Sequence, residues 1–504
     1  MERVKHLKRF KQGIILAAVI AMAGLVWAAV AWLLPSLTPM PDAVLPSPEL
    51  MQAAQGLDEI TIDASFEPEN SRLTATQTLR VKNRAGERLN SLVLRTYANA
   101  FQSIEISPAA TEEMFDSCYP NGFSAGGIAI SSLTVNGMSK PVTYLDEAQT
   151  VLSIELPGGW EPEQWLTVTL AYDLTIPEAR YRFGRAGRIW TLGNVFPQGA
   201  MYENGAWRQE GYFPIGDPFV SQCVNYDVTL RLPEGYQPGA TGYAKGEDGV
   251  YRYQALAARD FALTLIEKGV ALAKTAGETL VLAVGESRSQ AEQMLKFAYQ
   301  ALECYNKRYG IYPYPSLTAV AAEIPFGGVE YPGLVMIGKE VLNAEDDSLE
   351  ITVAHEVAHQ WWYAVVGSDQ YYEAWQDEAL CEYALLDYVA QYYGEAARQN
   401  LAFERFETAM RVTVPQGVTP GSPIDYFGEL PEYTLVTYRR GAALMVALEN
   451  ALGREGLREA LQAYYADNAF QLASRQDFKE ALKKVSGSDW SALMEDYLDT
   501  YIIN

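Results

Sequence analysis

The chain has 504 residues, 49% apolar and 20% charged, which is the balance of a folded globular protein rather than a disordered or fibrous one. Its formal charge of −24 excludes a broad nucleic-acid surface, because phosphate binding needs clustered Lys and Arg. Four scattered cysteines exclude a disulfide scaffold or a thiolate zinc site. Of the three histidines, His6 lies in the N-terminal tail, so any other histidine chemistry must use His355 and His359.

Residues 1–12 form a basic tail, with Arg3, Lys5, Lys8, Arg9 and Lys11 against one acid, Glu2. Residues 13–34 carry no charge, and as a helix of about 33 Å they can span the hydrocarbon core of a bilayer. Trp27 and Trp32 fall where an aromatic belt would sit. The positive flank predicts a single-pass anchor in the cell membrane, with a cytoplasmic N-terminus and the remaining chain outside. A cleaved signal peptide is the alternative, since Ala29-Val30-Ala31 resembles a cleavage site. With residues 1–12 set aside the rest of the chain carries −28, which repels anionic headgroups and leaves attachment to the lipid bilayer to residues 13–34. Residues 35–56 read as a Pro-rich linker, with five prolines between positions 35 and 48, and so as an extended stalk.

From residue 57 to 272 the apolar pattern alternates. Ile60, Ile62, Ala64 and Phe66 share a face, as do Leu166, Val168, Leu170, Tyr172, Leu174 and Ile176, and Tyr226, Val228, Leu230 and Leu232. Gly and Asn punctuate these runs, which predicts an antiparallel all-β saddle or sandwich domain. Residues 273–504 change to helical spacing. Ser289 is the expected cap of a helix through Met294, Leu295, Ala298, Leu302 and Tyr305, ending at Gly310. Further helices are expected over 348–365, 378–392, 436–451, 455–466 and 475–485. The fold class is therefore multidomain: an N-terminal transmembrane helix, an antiparallel all-β domain, and a mostly helical α+β domain. Cys118 and Cys223 both fall in the β domain and could pair, but four buried free thiols are the preferred expectation.

Residues 355–359 read His-Glu-Val-Ala-His within the apolar segment 351–366, after the capping candidates Asp346, Asp347 and Ser348. Positions i and i+4 share a helix face, so His355 and His359 can hold one cation, with Glu356 placed to act on a bound water. The alternative is a chance pentapeptide with two hydrogen-bonded core histidines. A catalytic zinc site takes three protein ligands, and with no histidine left the third is a carboxylate. Asp369, Glu373, Asp377, Glu378 and Glu382 are all within reach in sequence. A loop over 367–376 and a returning helix over 377–393 favour Glu378.

His-Glu-Val-Ala-His, followed after 18 residues by Glu378 in WQDEALCEY, resembles the signature of the gluzincin aminopeptidases, the aminopeptidase N and leukotriene hydrolase-like metallopeptidases. The resemblance implies one Zn2+ per chain on His355, His359 and Glu378, in a thermolysin-like domain. Gly327-Gly328-Val329-Glu330-Tyr331 resembles the family's Gly-Ala-Met-Glu-Asn and implies that Glu330 binds the substrate's free α-amino group. Val329 and Tyr331 depart from that pattern. Tyr438-Arg439-Arg440-Gly441 resembles Tyr-Glu-Lys-Gly and implies an oxyanion-stabilising hydroxyl on Tyr438, with Arg439 in place of the usual glutamate. LRTYANAF (94–101), GDPF (216–219), YDVTLRLPEGY (226–236) and ARDFAL (258–263) are similar to segments of the family's N-terminal domain. A Gln or Glu of that domain also meets the amine, and Gln198 in FPQGA is the candidate. The helical C-terminal domain of many relatives has no counterpart in these 504 residues.

The expected function is a zinc aminopeptidase acting on peptides with a free N-terminus, with Glu356 as general base. A membrane-tethered metalloendopeptidase would keep the zinc site but not the amine anchor. A catalytically silent binding protein on the same fold is the third reading.

Overall fold

The computed structural model describes residues 39–500 apart from 107, 110, 415 and 416. The expected basic tail and the membrane-spanning segment 13–34 lie outside the described residues. Among the described residues no helix is long and apolar enough to cross a membrane.

The first part of the body is β-rich. A seven-stranded sheet runs in the order Val250–Ala258, Val224–Arg231, Glu59–Glu67, Arg72–Lys82, Trp165–Thr175, Gly127–Val135, Met138–Ser139. Alternation fixes its register. Leu166, Val168, Leu170, Tyr172 and Leu174 are buried while their neighbours in the strand are not. A slip by one residue would turn all of them to the other face, at roughly 1.5–3 kcal/mol for each large apolar side chain. The sheet departs from the expected antiparallel pattern at one place: Glu59–Glu67 pairs in parallel with Val224–Arg231. That pairing joins segments far apart in sequence, so no local pattern records it. Two four-stranded sheets and a two-stranded one complete this part, one of the former placing Leu89–Arg95 between Gln198–Gly199 and Val151–Trp160.

The second part is mainly helical and is built on a five-stranded mixed sheet, in the order Val270–Ala276, Thr279–Gly285, Ser316–Ala322, Leu334–Gly338, Gly328–Tyr331. The helix Arg288–Arg308 packs on this sheet through Met294, Leu295, Ala298, Leu302 and Tyr305. Its cap is Ser287, whose hydroxyl accepts from Gln290 N, rather than Ser289. The expected break between two C-terminal helices falls at Gly453, which sits at φ 75° inside Gly441–Asn468. Arg475–Ser486 starts on a capping box between Ser474 and Asp477 and stops at Gly487. Helices Glu395–Ala402 and Ser491–Leu498 were not expected from the spacing.

The described part of the linker is not a free stalk. Met40 and Val44 pack on Ala273, Leu280 and Leu282. Tyr243 donates to the Pro41 carbonyl at 2.5 Å, and Pro48–Ala53 is a short helix capped by Ser47. Apolar side chains between the prolines hold this segment against the body. All four cysteines are free and buried.

Candidate metal centre and active site

The motif helix is Ser348–Ala358, and Asp346 accepts the Ser348 N–H at its start. Beyond His359 the chain does not continue as the expected α-helix. It widens into a π-type turn over Gln360–Val365, with bonds from Ala364 N to His359 O (2.9 Å) and from Val366 N to Trp361 O (3.0 Å). Such turns are frequent at functional sites. Here the turn accommodates the fully buried Trp361 and Trp362. The chain returns through the helix Trp375–Tyr393, which starts two residues earlier than expected and presents Glu378 in its first turn.

His355 Nε2 lies 3.2 Å from His359 Nε2, and Glu378 Oε2 lies 3.3 Å and 3.5 Å from them. Glu378 Oε2 is buried without a hydrogen-bond partner. Ligands bonded at 2.0–2.1 Å in a tetrahedron stand about 3.3–3.4 Å apart, so these three atoms have the spacing of a zinc triad. Asp377 Oδ1 faces His359 Nδ1 at 2.5 Å, which makes Nδ1 the donor and leaves the Nε2 lone pair aimed at the triad. Gln370 holds the other Asp377 oxygen at 2.5 Å. Glu382 Oε1 lies 3.4 Å from His355 Nδ1, and Arg405 grips Glu382 bidentately at 2.9 and 2.6 Å. A second grouping, His359 with Asp377 and Cys381, lies on the Nδ1 side of the ring, which His359 already commits to Asp377.

Charge points the same way. Glu330, Glu356, Asp377, Glu378 and Glu382 are all buried around two imidazoles and Arg405. Burying so many carboxylates is costly unless positive charge is supplied. Burial lowers the pKa of His355, but hydrogen bonds to Glu378 and Glu382 outweigh it and raise the ring to about 9. Burial works against ionisation of Glu378, yet the two histidines hold it down at about 2. The site selects a cation, and its donor set of two imidazoles and a carboxylate fits zinc.

The same cavity, of about 260 Å³, is lined by Glu356, Glu330 and Tyr438. Burial pushes the Glu356 carboxyl up to about 7 against the pull of His355 and His359. A Cβ at Gly328 would lie 2.4 Å from Glu356 Oε1, which explains glycine at this position. Gly327 has room for a Cβ, 3.4 Å from Thr352, and makes no such demand. Glu330 points from the short strand Gly328–Tyr331 into the cavity, where burial pushes its carboxyl well up. Tyr438 sits in a second π-type turn, Thr434–Arg440, stacked on His355 at 5.9 Å and donating to Glu378 Oε1 at 2.6 Å. Gly441 brings that turn onto the returning helix, since a Cβ there would lie 2.8 Å from the Ala379 Cβ.

Gln198 is not brought to this site. It pairs opposite Arg95 in the β-rich part, donates its amide to Asp260 and lines a different cavity. The β-rich part instead sends Asp217, from GDPF, into the cavity, held by Arg182 at 2.7 Å. Asp217, the His359-orienting role of Asp377 and the Glu382–Arg405 clamp were missed from sequence. GDPF carried Asp217, and WQDEALCEY carried both Asp377 and Glu382.

Residues 293–497 match the Peptidase family M1 domain. Aminopeptidase M1-A of Oryza sativa subsp. japonica is 25% identical over 226 residues, 42% of this chain and 26% of that protein. Aminopeptidase N of Lactobacillus delbrueckii subsp. lactis is 23% identical over 403 residues, 74% of this chain and 46% of its own. The chain thus spans less than half the length of these two relatives. The crystal structure of an M1 zinc metallopeptidase from Deinococcus radiodurans superposes with a TM-score of 0.62 at 14% identity, covering 89% of this chain and 96% of that one, and shares the fold. Fold, side-chain geometry and sequence match point the same way: residues 293–497 of this chain are similar to the Peptidase family M1 domain.

Proposed function

We propose that the chain is a zinc aminopeptidase that removes N-terminal residues from peptides. The observation that carries this reading is one cavity holding a zinc-spaced triad, the Glu356 carboxyl beside it, and two further carboxyl side chains, Glu330 and Asp217. His355, His359 and Glu378 would hold a zinc ion, which would supply Lewis acidity to the scissile carbonyl and to water. Glu356 takes the proton of the attacking water and passes it to the leaving amine. Tyr438 donates its hydroxyl to the developing oxyanion. Glu330 and Asp217 accept N–H bonds from the substrate ammonium and so fix which peptide bond reaches Glu356. This places the amine role from the β-rich part on Asp217 instead of Gln198.

The full chain is expected to hydrolyse aminoacyl anilides, to lose this activity on chelation, and to regain it with added zinc. Activity that survives chelation contradicts the zinc mechanism. No activity on any aminoacyl anilide favours the silent binding protein.

The same proposal places the enzyme at a cell membrane, anchored through residues 13–34 with the body outside. The uncharged run and its basic flank support this. Alkaline carbonate extraction should leave the full chain in the membrane pellet, and release into the supernatant contradicts the anchor.

A further inference from the structure

A buried hydrogen-bond junction lies behind the amine end of the cavity. Tyr331, where the family motif carries Asn, donates its hydroxyl to Asn194 Oδ1 at 3.0 Å. Arg182 Nη1 reaches the same oxygen at 3.5 Å and donates to Asp217 Oδ1 at 2.7 Å. Asn194 Nδ2 donates to Asp260 Oδ2 at 2.7 Å. Asp260 Oδ1 in turn accepts from Phe261 N at 2.7 Å and from the Gln198 amide. Tyr331, Asn194 and Asp260 are 1%, 6% and 3% exposed, so these bonds are shielded from water.

The local backbone is shaped for this contact. Asn194 sits at φ 55°, in the left-handed region that Asn tolerates better than most residues. A Cβ at Gly193 would lie 1.9 Å from the Tyr331 hydroxyl, so the tyrosine reaches Asn194 only over a glycine. Gly328–Tyr331 is a four-residue edge strand, paired only with Leu334–Gly338. Its other described restraints near this end are the bond from Gln360 Nε2 to the Tyr331 carbonyl, at 3.0 Å, and a long one from Gln370 Nε2 to Glu330 Oε1, at 3.5 Å. One asparagine oxygen therefore ties both carboxylates of the amine site. It holds Glu330 through the neighbouring Tyr331, and Asp217 through Arg182.

We infer that Asn194 and Tyr331 are positioning residues that set the separation of Glu330 and Asp217, and so tune recognition of a primary ammonium at the substrate terminus. This rests on the aminopeptidase reading. An ammonium carries three diverging N–H donors, and a pair of acceptors serves it only when their spacing is held to a fraction of an ångström. Neither Asn194 nor Tyr331 is among the residues lining the cavity, so their effect passes through Arg182 and the edge strand.

The test is steady-state kinetics of the zinc-loaded full chain on aminoacyl anilides, for wild type, Tyr331→Phe, Asn194→Ala and the double variant. Each single change is expected to raise KM roughly 10-fold, as sub-ångström misplacement of a binding group does, with kcat little altered. Inhibition by a des-amino acyl anilide, which lacks the ammonium, should stay at the wild-type level. The double variant should be no worse than the weaker single variant, because both break one junction. An unchanged KM in Tyr331→Phe overturns the inference. So does a parallel loss of affinity for the des-amino compound, or additive effects in the double variant. If Asn194→Ala does not fold, Tyr331→Phe with the des-amino control decides alone. A wild type with no preference for the free amine overturns the aminopeptidase reading itself, a result distinct from a wild type that has the preference and a Tyr331→Phe that keeps it.

Discussion

Replacing Glu356 by Gln is expected to lower kcat by about 10²–10⁴-fold while zinc stays bound, the range for loss of a positioned general base. The substitution preserves shape and hydrogen-bonding reach but removes the proton acceptor. Shape matters at this residue, because its carboxyl occupies the space that a Cβ at position 328 would fill. The triad of His355, His359 and Glu378 does not include Glu356, and His359 keeps its Asp377 partner, so metal content should match wild type. KM should change little, since Glu330 and Asp217 are untouched. The loss corresponds to about 3–5 kcal/mol of transition-state stabilisation. A Glu356→Gln protein within tenfold of wild-type kcat, or one that has lost its metal, contradicts the assignment.

Tyr438→Phe is expected to cost about 10²–10³-fold in kcat, the effect of removing one preorganised oxyanion donor. The hydroxyl is brought to the site by a π-type turn that Gly441 packs against Ala379, and its ring is stacked on His355. Phe keeps that stacking and loses only the donor. In the structure this hydroxyl bonds Glu378 Oε1, so metal content measured beside kcat separates a lost oxyanion donor from a disturbed ligand. Arg439, which stands where the family carries glutamate, does not line the cavity. Equal kcat for Tyr438→Phe and wild type contradicts the oxyanion role.

Features set by local spacing were legible in the sequence. Alternation located the strands Glu59–Glu67 and Trp165–Thr175, and i,i+4 spacing located the histidine pair. Ser474 with Asp477, and Gly453, mark helix limits through side-chain and backbone preferences that act within a few residues. Features set by distant partners were not legible. The parallel pairing of Glu59–Glu67 with Val224–Arg231 depends on contacts across the whole β-rich part. Gln198 and Asp217 are both polar residues in loop-like sequence, and only the tertiary fold sends one to Asp260 and the other into the cavity. The same holds for Tyr331. Its departure from the motif was visible, but the glycine and asparagine that receive its hydroxyl lie more than a hundred residues earlier. The π-type turns at Gln360–Val365 and Thr434–Arg440 escaped as well, because one extra residue per turn leaves a short apolar pattern almost unchanged.

Glu330 and Asp217 are expected to make this metal site act as an exopeptidase. The deciding measurement is to incubate the zinc-loaded full chain with one peptide in two forms, free and acetylated at the N-terminus, and to identify the products by mass. The expected result is stepwise loss of N-terminal residues from the free peptide and no cleavage of the acetylated one. Internal cleavage of the acetylated peptide at a rate matching the free form would contradict it and identify a metalloendopeptidase.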